Sequence, residues 1–322
     1  MSRLFAFLAA VMVSGLAISS ACSADVADSV HFSLQPAERD DGIHASFRKA
    51  GQGIDQWSAD LPARELVGLD VSRFRASGST PVRFALVREA GRLDCAGNGG
   101  NATAAGTCRF SPNASFMDFL VSRGMRRPTS NQALGLMAVD ARRGTVEALG
   151  AARYPVPTVE QLMGLTAVGV DAPYIAGLSR VGYRPQTIDT LLEFRALNIT
   201  PEFIRGFVRL GYADLPASEF VQLKALGIDA DFVAGFERIG YGRLPASDLV
   251  QLKSLGVTPA WVASFERLGY HRIGIDDLVQ MKALGVTPDY ALAVRKSEGA
   301  ALPSPDRLIQ LRAVGFRPRL RN

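Results

Sequence analysis

Histidine and cysteine are scarce in this chain, and their scarcity closes off much familiar chemistry. The 322 residues include three histidines (His31, His44, His271) and three cysteines (Cys22, Cys95, Cys108). Neither an HExxH nor a GxSxG stretch occurs, so zinc-peptidase and nucleophile-elbow arrangements have no residues to stand on. Basic runs are missing too. The 36 Lys and Arg are scattered among 31 Asp and Glu, giving a formal charge of +5. A nucleic-acid partner is therefore not expected, because that footprint needs clustering. Long apolar runs are confined to Leu4–Ile18, shorter than the roughly 20 residues of a membrane span, and the mature chain is not expected to cross a membrane.

What is present begins with "MSRLFAFLAAVMVSGLAISSAC". Arg3, the apolar run and the small residues after it read as an export signal over residues 1–24. The expected location is the periplasm. Cys22 is a lipidation candidate, since small residues precede it as in a bacterial lipoprotein box, although Ser19 stands where that box carries Leu, Val or Ile. Lipidation would anchor the protein to the outer membrane; the alternative is removal of Cys22 with the signal. Cys95 and Cys108 are then left as an even pair, suited to one disulfide in an oxidising compartment. The 12 residues between them, which include "AGNGGNATAAG", read as a flexible loop. A metal pair would lack further ligands, and no cofactor is expected.

Residues 25–112 read as a small antiparallel β domain. "VHFSL", "IHASF" and "VRFALV" each alternate apolar and polar residues, the period of half-buried strands. "LPARELVGLDVSRF" offers one short helix. His31 and His44 fall on the outward strand face and read as solvated polar residues.

From residue 113 the chain repeats itself. Gly182, Gly211, Gly240 and Gly269 are each followed by Tyr, at intervals of 29 residues (211 − 182). Gly169, Asn198, Gly227, Gly256 and Gly285 form a second series of the same period. Asn198 is informative, because Asn is the residue that best replaces Gly in the left-handed helix C-cap. Asp171, Thr200, Asp229, Thr258 and Thr287 read as N-caps, with Pro201, Pro259 and Pro288 at the first helical position. Each period therefore predicts two short helices. Aromatic columns (Tyr174, Phe203, Phe232, Trp261, Tyr290, joined by Phe207, Phe236 and Phe265) predict a stacked core. The fold class expected is α+β: the β domain, then an α-helical solenoid of about six to seven two-helix repeats over 113–322.

Three polar columns share the period. Lys224, Lys253 and Lys282, with Arg195 and Arg312, lie in the last turn of their helices, where a cation complements the helix dipole. Gln222, Gln251, Gln280 and Gln310 neither cap nor complement the dipole and lie opposite the apolar stripe. These glutamines, with the three lysines, are the candidate partner-binding residues. Asp276 and Asp277 read as a cap and first turn. Groups multiplied evenly along an array do not make the singular constellation that catalysis requires, so no catalytic residue is expected and the chain reads as a non-enzyme.

The units "DLVQLKSLGVTPAWVASFERLGY" and "DLVQMKALGVTPDYAL" resemble uncharacterised 29-residue bihelical repeats of exported bacterial proteins. They are similar also to the extracytoplasmic tails of some membrane metallopeptidases related to beta-lactamase sensors. The resemblance covers the helical two thirds and implies a periplasmic recognition module; with no peptidase motif and no multiple spans here, no catalytic residue carries over. The expected function is an exported, non-catalytic scaffold that binds another envelope or exported protein. One alternative is an immunity or inhibitor protein that neutralises an exported toxin or envelope hydrolase. Another is an envelope enzyme with its site in the β domain, which predicts a deep pocket with converging polar side chains near His31 or His44.

Overall fold

Alternating apolar side chains build seven strands in the N-terminal part of the computed structural model, which describes residues 29–37, 42–49, 56–299 and 301–318. The stretch read as an export signal, with Cys22, lies outside the described residues. The strands are β1 (Ser29–Pro36), β2 (Gly42–Lys49), β3 (Gln56–Pro62), β4 (Leu66–Val67), β5 (Thr80–Arg88), β6 (Gly91–Gly100) and β7 (Thr103–Pro112). They form one antiparallel sheet in the order β3-β2-β1-β7-β6-β5-β4. Val30, Phe32, Leu34, Ile43, Phe47, Val82, Phe84 and Leu86 are all buried on one face. Phe32 on β1 meets Phe84 on β5 edge to face, ring centroids 4.9 Å apart. Three strand spacings in a flat sheet would separate them by roughly 14 Å. The sheet therefore curls around its apolar face.

One expectation for this part needs correction. The supposed flexible loop between Cys95 and Cys108 is strand: β6 and β7 run on to a two-residue turn at Asn101 (φ 53°) and Ala102 (φ 60°). Both residues are left-handed, as a tight hairpin turn demands. The glycines there serve close approach, since a Cβ on Gly97 would lie 2.1 Å from the Ala105 carbonyl oxygen. Cys95 faces Cys108 across the ladder, Cα atoms 3.9 Å apart, and the two sulfurs are bonded. The stretch "LPARELVGLDVSRF" does carry one short helix. It divides into the end of β3, a 3₁₀ turn, β4 and only five residues of helix, α1 (Val71–Arg75). Gly68 turns at φ 86°, and Asp70 restarts the chain by accepting hydrogen bonds from the Ser72 and Arg73 backbone N–H groups.

The described residues cluster into two compact units, the first ending at Pro112 and the second beginning at Asn113. The second unit is helical. Its first seven helices are α2 (Ala114–Ser122), α3 (Ser130–Ala138), α4 (Arg143–Ala151), α5 (Val159–Ala167), α6 (Ala172–Arg180), α7 (Ile188–Ala196) and α8 (Pro201–Arg209). The next seven are α9 (Ala217–Ala225), α10 (Ala230–Arg238), α11 (Ala246–Ser254), α12 (Pro259–Glu266), α13 (Ile275–Ala283), α14 (Pro288–Glu298) and α15 (Pro305–Ala313). Even-numbered helices from α2 to α14 start at intervals of 29; the odd-numbered ones do so from α3 to α13, and α15 starts one residue late. Helices pack on the one two positions along, α4 on α6 and α11 on α13 for example. No single described helix is long and apolar enough to cross a membrane.

The local chemistry explains these boundaries. Asp171, Thr200, Asp229, Thr258 and Thr287 each accept a hydrogen bond from the backbone N–H three residues on. At the other end, the Gly256 N–H bonds the Lys253 carbonyl and the Val257 N–H the Leu252 carbonyl, a Schellman closure. That closure requires φ > 0, and Gly256 has φ 69° and Asn198 φ 54°. The residue after it turns inward: Val170, Ile199, Ile228, Val257 and Val286 are all buried. Gly-Tyr works in the same way. Tyr241 N–H reaches back to the Phe236 carbonyl while its ring packs on Phe236 at 6.0 Å. Asp140 (φ 60°) and Arg153 (φ 59°) make the same closures without glycine, which hides them from a pattern of glycines. Asp276 and Asp277 sit in the first turn of α13, whose N-cap is Gly274 rather than an aspartate.

Candidate functional site

Helix periodicity places Gln222, Gln251, Gln280 and Gln310 at the sixth position of α9, α11, α13 and α15, and all four are exposed. Among the described residues none of the four side chains has a hydrogen-bond partner. Four residues on, on the same helix face, stand Leu226 (36% exposed), Leu255 (38%), the half-buried Leu284 and Val314 (80%). An amide beside an apolar side chain thus recurs along four helices. The glutamine column was legible from the sequence, but the exposed Leu/Val column was not: residues just before a C-capping Gly read as part of the apolar stripe.

The lysines are placed differently. Each is half-buried and reaches toward the helix pair before its own. The Lys253 ammonium lies 4.8 Å above the Phe232 ring and donates to the Gly227 carbonyl at 2.9 Å. Lys224 covers Phe203 at 4.9 Å and Lys282 covers Trp261 at 4.9 Å. Arg195 and Arg312 do the same over Tyr174 and Tyr290, with Nε donating to the Gly169 and Leu284 carbonyls. The cation therefore complements the C-terminus of the preceding odd-numbered helix, and its charge also faces an aromatic ring. These contacts bind one helix pair to the next. Each lysine is thus engaged by a neighbouring helix pair, and the glutamines are not.

Tyrosines that are buried or half-buried form a second set of ties. The hydroxyls of Tyr183, Tyr212 and Tyr241 donate to the carbonyls of Leu215, Leu244 and Ile273, each 32 residues on. Burial pushes the Tyr241 and Tyr270 phenols up to about 12 each, so both stay protonated. Tyr270 is the exception. Among the described residues its buried hydroxyl has no hydrogen-bond partner. Tyr241→Phe is expected to cost about 1 kcal/mol, whereas Tyr270→Phe should be neutral or stabilising, since it removes a buried hydroxyl that makes no bond. Paired urea melts measure the contrast, and equal losses at the two sites would refute it.

In the β unit, the outward face of β2 carries His44, Ser46 and Arg48. The pairing register sets Asp60 of β3 opposite His44. His44 Nδ1 is 2.6 Å from Asp60 Oδ1, and His44 Nε2 is 3.4 Å from Ser46 Oγ. The imidazole that the sequence suggested to be merely solvated is 32% exposed and held from both nitrogens. Beside Ser46 lies a depression of about 240 Å³, lined also by His31, Ser33, Arg48 and Gln56. Among the described residues no group of three His, Cys, Asp or Glu is placed to hold a metal ion.

No protein-family model matches the sequence, and comparison with curated proteins finds no match.

Proposed function

We propose that the helical unit is a solenoid that serves as a protein-interaction scaffold in the cell envelope, with helices α9, α11, α13 and α15 presenting the recognition surface. The observation that carries this reading is the unbonded glutamine column flanked by exposed Leu226, Leu255 and Val314. Stacked helix pairs present such columns as an extended surface. Exposed amides offer both a donor and an acceptor to a partner's backbone, and an apolar neighbour supplies area to exclude water. The export signal at residues 1–24 puts that partner outside the cytoplasm, and the resemblance to exported bihelical repeats supports the same location.

The test is affinity capture from envelope extract with the parent chain beside a variant carrying Gln222→Glu, Gln251→Glu and Gln280→Glu. Glutamate preserves shape and helix propensity but loses the donor and adds charge. A stoichiometric protein held by the parent, and at least ten-fold less by the variant, is the expected result. Recovery unaffected by the variant would remove the glutamine face from the interaction.

A further inference from the structure

We propose that Ser46, His44 and Asp60 form a nucleophilic site on the β unit that hydrolyses carboxylic esters. A cross-strand His–Asp pair by itself is an ordinary sheet-surface contact, worth roughly 0.2–1 kcal/mol. What distinguishes this one is the third member on the other ring nitrogen. Alternation along β2 puts His44 and Ser46 on one face, and the β2–β3 register brings Asp60 opposite the imidazole. The Asp60 carboxylate, an acceptor only, takes the 2.6 Å contact from Nδ1, so Nδ1 carries the proton. In the neutral imidazole Nε2 then keeps its lone pair, and the Ser46 hydroxyl donates across the 3.4 Å to it. That is the proton order a serine nucleophile requires, at a separation ordinary for a site without substrate. Among the described residues neither His31 nor His271 has a carboxylate partner.

The chemistry balances without a co-reactant other than water. Ser46 Oγ bonds to the ester carbonyl carbon as its proton passes to Nε2, and Asp60 stabilises the imidazolium through Nδ1–H. The C–O bond to the leaving alcohol breaks, and Nε2 returns that proton to the departing oxygen. Water then attacks the acyl-serine, gives a proton to Nε2, and the carboxylic acid leaves as Ser46 is reprotonated.

The sheet also limits the substrate. β2 is paired along both edges, with β1 and with β3, so its backbone N–H groups belong to the ladder and do not form an oxyanion hole. The cation available is Arg48, which lines the depression with Ser46 and lies opposite Gln56 and His31 in register. A mobile side chain stabilises the oxyanion less well than fixed backbone donors. Esters with an acidic leaving alcohol, such as aryl esters, are therefore the class accepted, and amides are not. The inference departs from the expectation of a chain without catalytic residues. That expectation rested on the evenly repeated groups of the helical array and on missing contiguous motifs, whereas this site is assembled across two strands.

The experiment measures p-nitrophenyl acetate hydrolysis by the purified chain and maps the adduct of a fluorophosphonate probe by mass spectrometry. Ser46→Ala and His44→Gln are expected to lower kcat/KM at least a hundred-fold and to abolish the adduct, which in the parent lies on Ser46. Asp60→Asn should lower kcat and slow labelling with KM unchanged. His271→Asn keeps the parent rate. All four side chains face outward, so unchanged thermal melts separate lost chemistry from lost fold. Hydrolysis that survives Ser46→Ala, an adduct on another residue, or no adduct in the parent would each overturn the proposal.

Discussion

Phe236→Ala is expected to destabilise the helical unit by about 3–5 kcal/mol, the range for removing a large buried aromatic side chain. Phe236 is fully buried. Its ring meets Phe232 edge to face at 5.2 Å and Tyr241 at 6.0 Å, so truncation strips contacts from both neighbours. Collapse around the cavity is restricted. The adjacent Gly235 already approaches Pro259 so closely that a Cβ would lie 2.6 Å from the ring carbon Cγ, and α10 and α12 are packed together at that point. Phe232→Ala gives the control, because Phe232 is only half-buried under Lys253 and should cost about half as much. Urea melts followed by Trp261 fluorescence in a Trp57→Phe background report this unit alone. Equal losses for the two phenylalanines would show that burial does not rank these columns.

Replacing both Cys95 and Cys108 with serine is expected to lower the stability of the β unit by about 3 kcal/mol. The bond spans a sequence separation of 13 residues, and the chain entropy it removes from the unfolded state scales with that loop. Closed or open, the hairpin keeps its two-residue turn and its ladder, so native geometry changes little. Both sulfurs are buried, with Cys95 opposite Phe84 in the ladder, where the substituted hydroxyls add a further cost of burial. Trp57 stacks on Phe47 at 5.0 Å in this unit, and its fluorescence in a Trp261→Phe background is the readout. A urea midpoint unchanged in the double variant would contradict the expectation.

The helical part was the more legible because its signals are local. An N-cap, a proline at the first helical position and a left-handed closure act within four residues of one another. Thr258, Pro259 and Gly256 therefore announce α11 and α12 without reference to anything distant. Where the same closure is made by Asp140 or Arg153, the backbone need is met by a residue that does not advertise it. In the β part the strands were legible from their alternation, but "AGNGGNATAAG" was misread. Gly reads as looseness in a sequence and serves close backbone approach in a sheet, and only the partner strand distinguishes the two. The candidate sites divide in the same way. Exposed glutamines follow from helix periodicity, while the employment of Lys253 by Gly227 and Phe232 depends on how one helix pair sits against the previous one.

Sequence by itself determined the alternating strands, the 29-residue period, the pairing of two short helices per period and the caps that bound them, because each rests on neighbours along the chain. Tertiary structure alone decided the rest. It curled the sheet so that Phe32 meets Phe84, turned the basic column into ties between helix pairs, left the Tyr270 hydroxyl unpartnered and brought Asp60 to His44. Those contacts join residues many positions apart. Their existence depends on register and packing, which no local pattern of residue types specifies.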